Sequence, residues 1–156
     1  MVFRKILVYL GLITLPHLSW ANDVHEYHLK NGLSLLVKED HRAPVVIAEI
    51  WYKVGSSYEP RGITGISHAL EHMMFRGTEK FAPGELEKKV AVNGGEQNAF
   101  TDSDFTAYYQ KFSADKLAIS FELEADRMRN LLLRSQDFAK EIQVVMEERR
   151  MRVDDN

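Results

Sequence analysis

The spacing of His68, Glu71 and His72 is the feature that most constrains how this chain folds. Residues three and four positions apart lie on the same face of an α-helix. On a helix, the two imidazole rings can therefore point at one metal ion, and Glu71 lies beside that ion without having to bind it. A carboxylate in that position can accept a proton from water. The pattern predicts a helix that carries two metal ligands and a candidate base.

Composition excludes several other kinds of site. The 156 residues suit one domain, and 45% of them are hydrophobic and 28% charged, as in ordinary soluble globular proteins. A net charge of −3, with scattered basic residues, argues against nucleic-acid binding. The sequence has no cysteine, which excludes disulfides, thiolate zinc sites and cysteine nucleophiles. Any metal is therefore expected to have nitrogen and oxygen ligands.

Residues 1–21 have the pattern of a secretory signal peptide. Two basic residues precede an apolar run over 6–15, and small residues at Ser19 and Ala21 fit the −3 and −1 positions of a cleavage site. The run is short for a membrane span, so cleavage is expected, and an uncleaved N-terminal anchor is the alternative. The mature chain, 22–156, is then periplasmic or secreted, with no stable membrane span.

Hydrophobic periodicity in the mature chain predicts an α+β fold. Strands are expected over 25–30 and 33–38, around an Asn31-Gly32 turn, and over 45–54, 97–101 and 105–112. Helices are expected over 66–76, 83–92, 114–133 and from about 136 onwards, and Gly77 suits the end of the first because it tolerates the left-handed conformation found there. The strand pairs look antiparallel, which favours a two-layer sandwich with helices on one face of a largely antiparallel sheet. The last helix reaches Asn156 without a cap. We therefore expect 22–156 to be the N-terminal part of a longer domain, truncated at its C-terminal end.

The helix from about 114 to 133 also carries many charged residues. Five of them are interpreted as solvated surface: Glu122, Glu124, Asp126, Arg127 and Arg129.

A catalytic zinc site usually has three protein ligands and leaves the fourth position to water, so a third ligand is needed. The final helix has an apolar stripe at helical spacing, formed by Phe138, Ile142 and Val145. Glu141 and Glu148 fall on one edge of that stripe, whereas Glu147 points to the opposite side. Glu148 can therefore face the interior where a metal would lie. The alternative is a surface carboxylate paired with Arg152 at i+4.

Residues 68–78, HALEHMMFRGT, together with the distant Glu-Glu-Arg-Arg run at 147–150, resemble the pitrilysin-like (M16, inverzincin) zinc metallopeptidases. The family pattern places the third zinc ligand about 76 residues beyond the second histidine, which is Glu148 here. The resemblance implies one Zn²⁺ per chain, held by His68, His72 and Glu148. It also implies that Glu71 is the proton acceptor.

Glu141 matches the family's second carboxylate on the last helix. Orienting a ligand or the water on the metal is one interpretation of its role. A carboxylate at the edge of the core, with no part in the chemistry, is the other.

Residues 94–101 look like the family's Asn-Ala-aromatic-Thr strand, along whose edge substrate backbone pairs. The resemblance implies that Ala99 and Phe100 line the cleft and that Asn98 bonds substrate backbone. The alternative is an ordinary core strand, since β-propensity is the only signal in the residues themselves.

The expected function is therefore a zinc metalloendopeptidase that cleaves peptides or unfolded polypeptide segments. The resemblance also implies a homologous second half or partner subunit that closes around the substrate, without which the chain can be inactive. Two other functions stay open: a non-catalytic zinc-binding scaffold or partner subunit of a heteromeric peptidase, and a small-molecule hydrolase on a related fold. The intact motif favours the peptidase.

Overall fold

The computed structural model describes residues 24–154, so the predicted signal peptide at 1–21 lies outside the described residues. Within that range the chain divides into two compact units, 24–43 and 44–154. The first unit is a hairpin of strands β1 (Val24–His28) and β2 (Ser34–Lys38), paired antiparallel. The Asn31-Gly32 turn predicted from the sequence connects them, with Gly32 at φ +88°.

The second unit is built on a three-stranded antiparallel sheet. Its strands are β3 (Val45–Tyr52), β4 (Glu96–Thr101) and β5 (Thr106–Ser113), in the spatial order β3-β5-β4. One face of the sheet is covered, and the other leaves Ile47, Trp51 and Phe100 exposed. This alternation is the period-2 pattern of strands that bury one side only.

Four helices complete the second unit. They are α1 (Ile66–Met73), α2 (Glu85–Val92), α3 (Leu117–Asn130) and α4 (Ser135–Arg149), with a π-helical segment at Arg150–Asp154 and short 3₁₀ turns at Ser56–Tyr58 and Ala114–Lys116. The core consists of Leu86 and Val90 from α2, Leu123 from α3 and Phe112 from β5. The predicted α+β fold, with helices on one face of an antiparallel sheet, is confirmed. Among the described residues, no helix has both the length and the apolar character needed to cross a membrane.

The end of α1 differs from the prediction. The helix stops at Met73, three residues before the predicted end at Arg76, and continues as a tighter turn in which Phe75 and Arg76 donate to carbonyls three residues back. Gly77 then has φ +97°, and a Cβ there would lie 2.8 Å from the Phe81 carbonyl oxygen. The predicted role of this glycine at the helix end is confirmed, because only glycine easily adopts a positive φ and allows a backbone oxygen to approach so closely.

The prediction of a solvated surface on α3 is wrong for three of its charged residues. Glu124, Asp126 and Arg127 are buried, with relative exposures of 4%, 8% and 3%. The Arg127 guanidinium pairs with the Glu124 carboxylate and lies over the Tyr108 ring, 4.6 Å from its centroid. Glu124 also accepts a hydrogen bond from the Gln110 side chain on β5. Arg127 and Glu124 are buried because they satisfy each other and the aromatic face, whereas Asp126 accepts a hydrogen bond from the Asn130 side chain at 2.7 Å. A helical pattern alone does not reveal these contacts.

Candidate metal centre

The loop before α1 fixes the start of this helix through Glu59. Its carboxylate accepts hydrogen bonds from the backbone N–H groups of Gly65 (2.6 Å) and Ser67 (2.8 Å). A negative charge there satisfies N–H groups that have no partner in the helix and complements its dipole. Burial raises the pKa of Glu59, but these two backbone bonds and one from the Ser67 hydroxyl outweigh that effect and leave the pKa below its ordinary value.

The same loop is attached to the sheet at its other end. The N–H groups of Ser56 and Ser57 donate to the carbonyls of Asp102 and Ser103, in the turn between β4 and β5. A Cβ on Gly55 would lie 2.3 Å from the Asp102 carbonyl oxygen, so this close approach requires glycine. The loop therefore holds the start of α1 against the end of β4.

The structure brings together the three predicted metal ligands. Single donor atoms of His68, His72 and Glu148 all lie within 4.8 Å of one another, although α1 and α4 are far apart in sequence. His68 Nε2 is 3.4 Å from Glu148 Oε2, and His72 Nε2 is 3.7 Å from Glu148 Oε1. Ligand atoms on a tetrahedral zinc, each at about 2.0–2.1 Å, are about 3.3 Å apart. The donor set and its spacing therefore fit a zinc ion.

Glu141 accounts for the orientation of one of these histidines. Its Oε2 is 3.1 Å from His72 Nδ1, and its Oε1 is 2.8 Å from Arg76 Nη2. An ionised carboxylate only accepts hydrogen bonds, so Nδ1 is the protonated nitrogen and Nε2 keeps its lone pair for a metal. Glu141 is itself buried. Of the two interpretations left open by the sequence, this contact favours the orienting role.

The other carboxylates of α4 lie where the helical pattern placed them, but its apolar stripe is incomplete. Glu147 is exposed and pairs with Arg150 at 3.0 Å. Glu148 pairs with Arg152 at 3.6 Å, as in the alternative interpretation, and faces the histidines as well. Phe138 is exposed within the described chain, contrary to the predicted stripe, so Val145 and the partly buried Ile142 form the apolar contact.

Glu71 has a partner that sequence reasoning missed. The Thr101 hydroxyl, at the end of β4, donates to Glu71 Oε2 at 2.5 Å. The sequence indicates Thr101 only as part of the strand over 94–101. Its position two residues after Ala99, on the same face of the strand, is the signal that could have indicated it. Glu59 was also missed, because only its distance from the N-terminus of α1 in the folded chain reveals it.

A cleft of about 500 Å³ lies beside these groups. Its lining includes His68 and Glu71 from α1, and Ala99, Phe100 and Thr101 from β4. β4 is the outer strand of the described sheet, with β5 as its one neighbour there. Asn98 is not among the lining residues, and its side-chain oxygen accepts a hydrogen bond from the Ala99 N–H at 2.9 Å. Ala99 and Phe100 thus line the cleft, as predicted. The predicted bond between Asn98 and substrate backbone stays a prediction.

Several known proteins resemble this chain in sequence. The family model described as Insulinase (Peptidase family M16) matches residues 34–156. The zinc protease PqqE of Helicobacter pylori is 43% identical over 129 residues, which cover 82% of this chain and 29% of that protein. The mitochondrial-processing peptidase subunit beta of Bos taurus is 33% identical over 120 residues, covering 77% of this chain and 24% of that subunit.

Two solved structures share the fold. The crystal structure of a protease from Helicobacter pylori matches with a TM-score of 0.81 at 41% identity, covering 85% of this chain and 32% of that one. The crystal structure of pitrilysin matches with a TM-score of 0.74 at 28% identity, covering 83% of this chain and 14% of that one.

The chain therefore belongs to the M16 family, to which the insulinases belong. It spans less than a third of the length of the relatives that it matches.

Proposed function

We propose that this chain carries the metal centre of a zinc metallopeptidase that hydrolyses peptides or unfolded polypeptide segments. The observation that carries the proposal is the meeting of His68, His72 and Glu148 beside a carboxylate, Glu71, that is not needed as a ligand. The names of relatives as zinc proteases support it. His68, His72 and Glu148 would hold one zinc ion, which as a Lewis acid lowers the pKa of a water molecule to about 7 and polarises a carbonyl group.

The residues of this chain then have separate tasks. Glu71 takes a proton from the attacking water as the water oxygen bonds to the scissile carbon and the π electrons of the carbonyl group move onto its oxygen. It returns that proton to the nitrogen of the leaving amine as the carbon–nitrogen bond breaks. The carbonyl double bond re-forms when the leaving amine departs. Glu141 keeps His72 in the tautomer whose Nε2 can bind the metal. The Arg76 guanidinium pairs with the other oxygen of Glu141 and so offsets the charge of this buried carboxylate.

Substrate binding is proposed along the edge of β4. An extended peptide can add to an exposed strand through main-chain hydrogen bonds, which favours recognition of conformation over sequence. Phe100 offers an apolar side chain at that edge. Its ring packs against that of Trp51, with the ring centroids 5.9 Å apart. Asn98 would then bond the substrate backbone once its contact with the Ala99 N–H is exchanged.

The experiment that tests the function is cleavage of an unstructured fluorogenic peptide by the full-length protein, compared with Glu71→Gln. Wild-type activity is expected to be lost with a chelator and restored with zinc. Glu71→Gln is expected to keep zinc and lose about 10²–10⁴-fold in turnover, the usual contribution of a general base. Substantial turnover by the zinc-loaded mutant would rule out Glu71 as the base.

A partner subunit or homologous second half is also proposed, since one relative is named as a subunit of a processing peptidase. If the zinc-loaded wild type cleaves no peptide until such a partner is added, the chain is the metal-bearing member of a heteromeric enzyme. If it binds zinc and stays inactive with the partner present, it is a non-catalytic scaffold.

Export is the remaining proposal, and it rests on the residues of the predicted signal peptide alone. The basic start, the apolar run over 6–15 and the small residue at Ala21 support it. Fractionation of cells that express a C-terminally tagged protein, with N-terminal sequencing of the product, would test it. A cytoplasmic product that retains Met1 would contradict it.

A further inference from the structure

We propose that Thr101 is a positioning residue that sets the orientation of the Glu71 carboxylate. The inference rests on the proposed function of Glu71 as the base. Its structural basis is the hydrogen bond of 2.5 Å between Thr101 Oγ1 and Glu71 Oε2, which joins the end of β4 to the last turn of α1. Charge-assisted hydrogen bonds of this kind are short and strong compared with bonds between neutral groups.

The neighbouring hydroxyl group shows which way the Thr101 hydrogen points. A threonine hydroxyl has one hydrogen to donate. Thr106 uses its hydrogen on the carbonyl of Val54, at 2.9 Å. Thr101 Oγ1 is 3.3 Å from Thr106 Oγ1 and 2.5 Å from Glu71 Oε2, so the carboxylate is the nearer acceptor. The Thr101 hydrogen is thus committed to Glu71, and the second oxygen of that carboxylate remains to accept a proton.

The backbone around Thr101 makes it a rigid anchor. Thr101 pairs with Thr106 across the β4–β5 ladder, and threonine is stiff about χ1 because it is β-branched. A glutamate side chain has more torsional freedom, and an unattached one would spread over several rotamers. Thr101 removes that freedom by fixing one oxygen to the sheet. Because Ala99 and Phe100 on the same strand line the cleft, the contact also fixes the distance between the base and the strand along which a peptide would lie.

The test combines a structure with kinetics for Thr101→Val, which keeps the shape of the side chain and removes the hydroxyl. In a high-resolution crystal structure of the full-length protein, the Glu71 carboxylate is expected to leave its position or to occupy several rotamers. With the fluorogenic peptide, kcat is expected to fall about tenfold, as for loss of a hydrogen bond to a charged group, with KM nearly unchanged. Thr101→Ser, which restores the hydroxyl, is expected to recover most of kcat.

Two controls separate positioning from a loss of structure. Thr106→Val removes the adjacent hydroxyl, which does not contact Glu71, so it is expected to lower the melting temperature while kcat stays near the wild-type value. Zinc content and affinity, measured by competition with a chelator, are expected to be equal in wild type and Thr101→Val.

Two results would overturn the role of Thr101. One is a Glu71 carboxylate that keeps its place in the Thr101→Val structure, and the other is a Thr101→Val variant whose kcat equals that of the wild type. An inactive wild type would count against the proposed peptidase instead. The crystal structure would then still show whether Thr101 orients Glu71.

Discussion

Two clusters of charged side chains in this molecule differ in what they can do. The first, which we call the histidine cluster, contains His68, His72, Glu141 and Glu148 between α1 and α4. The second, the buried ion pair, is Arg127 with Glu124 on α3. The side chains of His68 and Glu148 are 27% and 26% exposed, whereas those of Arg127 and Glu124 are 3% and 6% exposed.

The proposed ligands are more exposed than the ion pair, whereas Glu141, which contacts His72, is as buried as the ion pair at 5%. Exposure therefore separates the groups that can bind a ligand from those that support them. In the histidine cluster, one donor atom each of His68, His72 and Glu148 face one another, and a single cation would satisfy all three, while Glu141 accepts from His72 Nδ1. In the buried ion pair, opposite charges already satisfy each other, and Gln110 and the Tyr108 ring complete their surroundings. The first arrangement can therefore take up a ligand. The second fastens α3 to the sheet beneath the site.

Replacing Glu148 should have the largest effect, because it removes one of three proposed ligands. We expect Glu148→Gln to weaken zinc binding by at least about a hundredfold, more than the loss of a residue that only supports a ligand, and to abolish peptide cleavage. Glu147→Gln is the matched control on the same helix and should leave zinc affinity unchanged, since Glu147 pairs with Arg150 away from the histidines. Chelator competition measures both variants. Equal loss of zinc in the two variants would contradict the assignment.

Replacing Arg127 should affect stability and leave the ligands in place. Arg127→Met leaves the Glu124 carboxylate buried without its partner, which typically costs about 3–5 kcal/mol of unfolding free energy. Denaturant unfolding of the metal-free protein measures this cost. The double variant Arg127→Met, Glu124→Gln removes the isolated charge and should recover part of the loss. A single variant as stable as the wild type would show that the pair does not fasten α3 to the sheet.

The contact of Glu59 with α1 should make the stability of the site region depend on pH. Because the pKa of Glu59 is lowered on folding, its contribution is complete above the pKa of the unfolded chain and is lost as pH falls through the folded pKa. Glu59→Gln should cost about 1 kcal/mol at neutral pH, as for other helix caps. The difference from wild type should shrink as the solution is acidified. Denaturant titrations over a pH series provide the measurement, and a difference independent of pH would argue against a charged cap.

The smallest effect is expected at Glu122, a residue of α3 that pairs with two lysines near the surface. Glu122 accepts hydrogen bonds from Lys80 and Lys89, which lower the pKa of its carboxyl to about 2. Solvent screens such pairs, so Glu122→Gln should change the unfolding free energy by less than about 1 kcal/mol at neutral pH. The change should diminish further in 1 M salt, where electrostatic screening is strong. If Glu122→Gln lowered the unfolding free energy as much as Arg127→Met does, exposure would not distinguish the Glu122 contacts from the buried ion pair.

The residues of the histidine cluster could be predicted because helical spacing is a local property. His68 and His72 are four residues apart, and the position of Glu148 on α4 follows from the apolar residues near it in sequence. The antiparallel pairing of strands that are neighbours in sequence, β1 with β2 and β4 with β5, was predicted for the same reason, since period-2 alternation and the Asn31-Gly32 turn are also local. The pairing of β3 with β5 joins segments far apart in sequence and was not predicted. The meeting of α1 with α4 rested on a resemblance to a family, and the described structure shows it.

The tertiary structure alone decided the contacts between residues that lie far apart in sequence. Arg127 and Glu124 look like surface charges on a helix until Tyr108 and Gln110 are known to lie against them. Thr101 is an ordinary strand residue until the end of β4 is placed beside Glu71. Periodicity within a helix or strand shows which side chains share a face, but not which other element that face will meet. The sequence by itself therefore determined the candidate ligands and base, whereas folding decided what holds them in place.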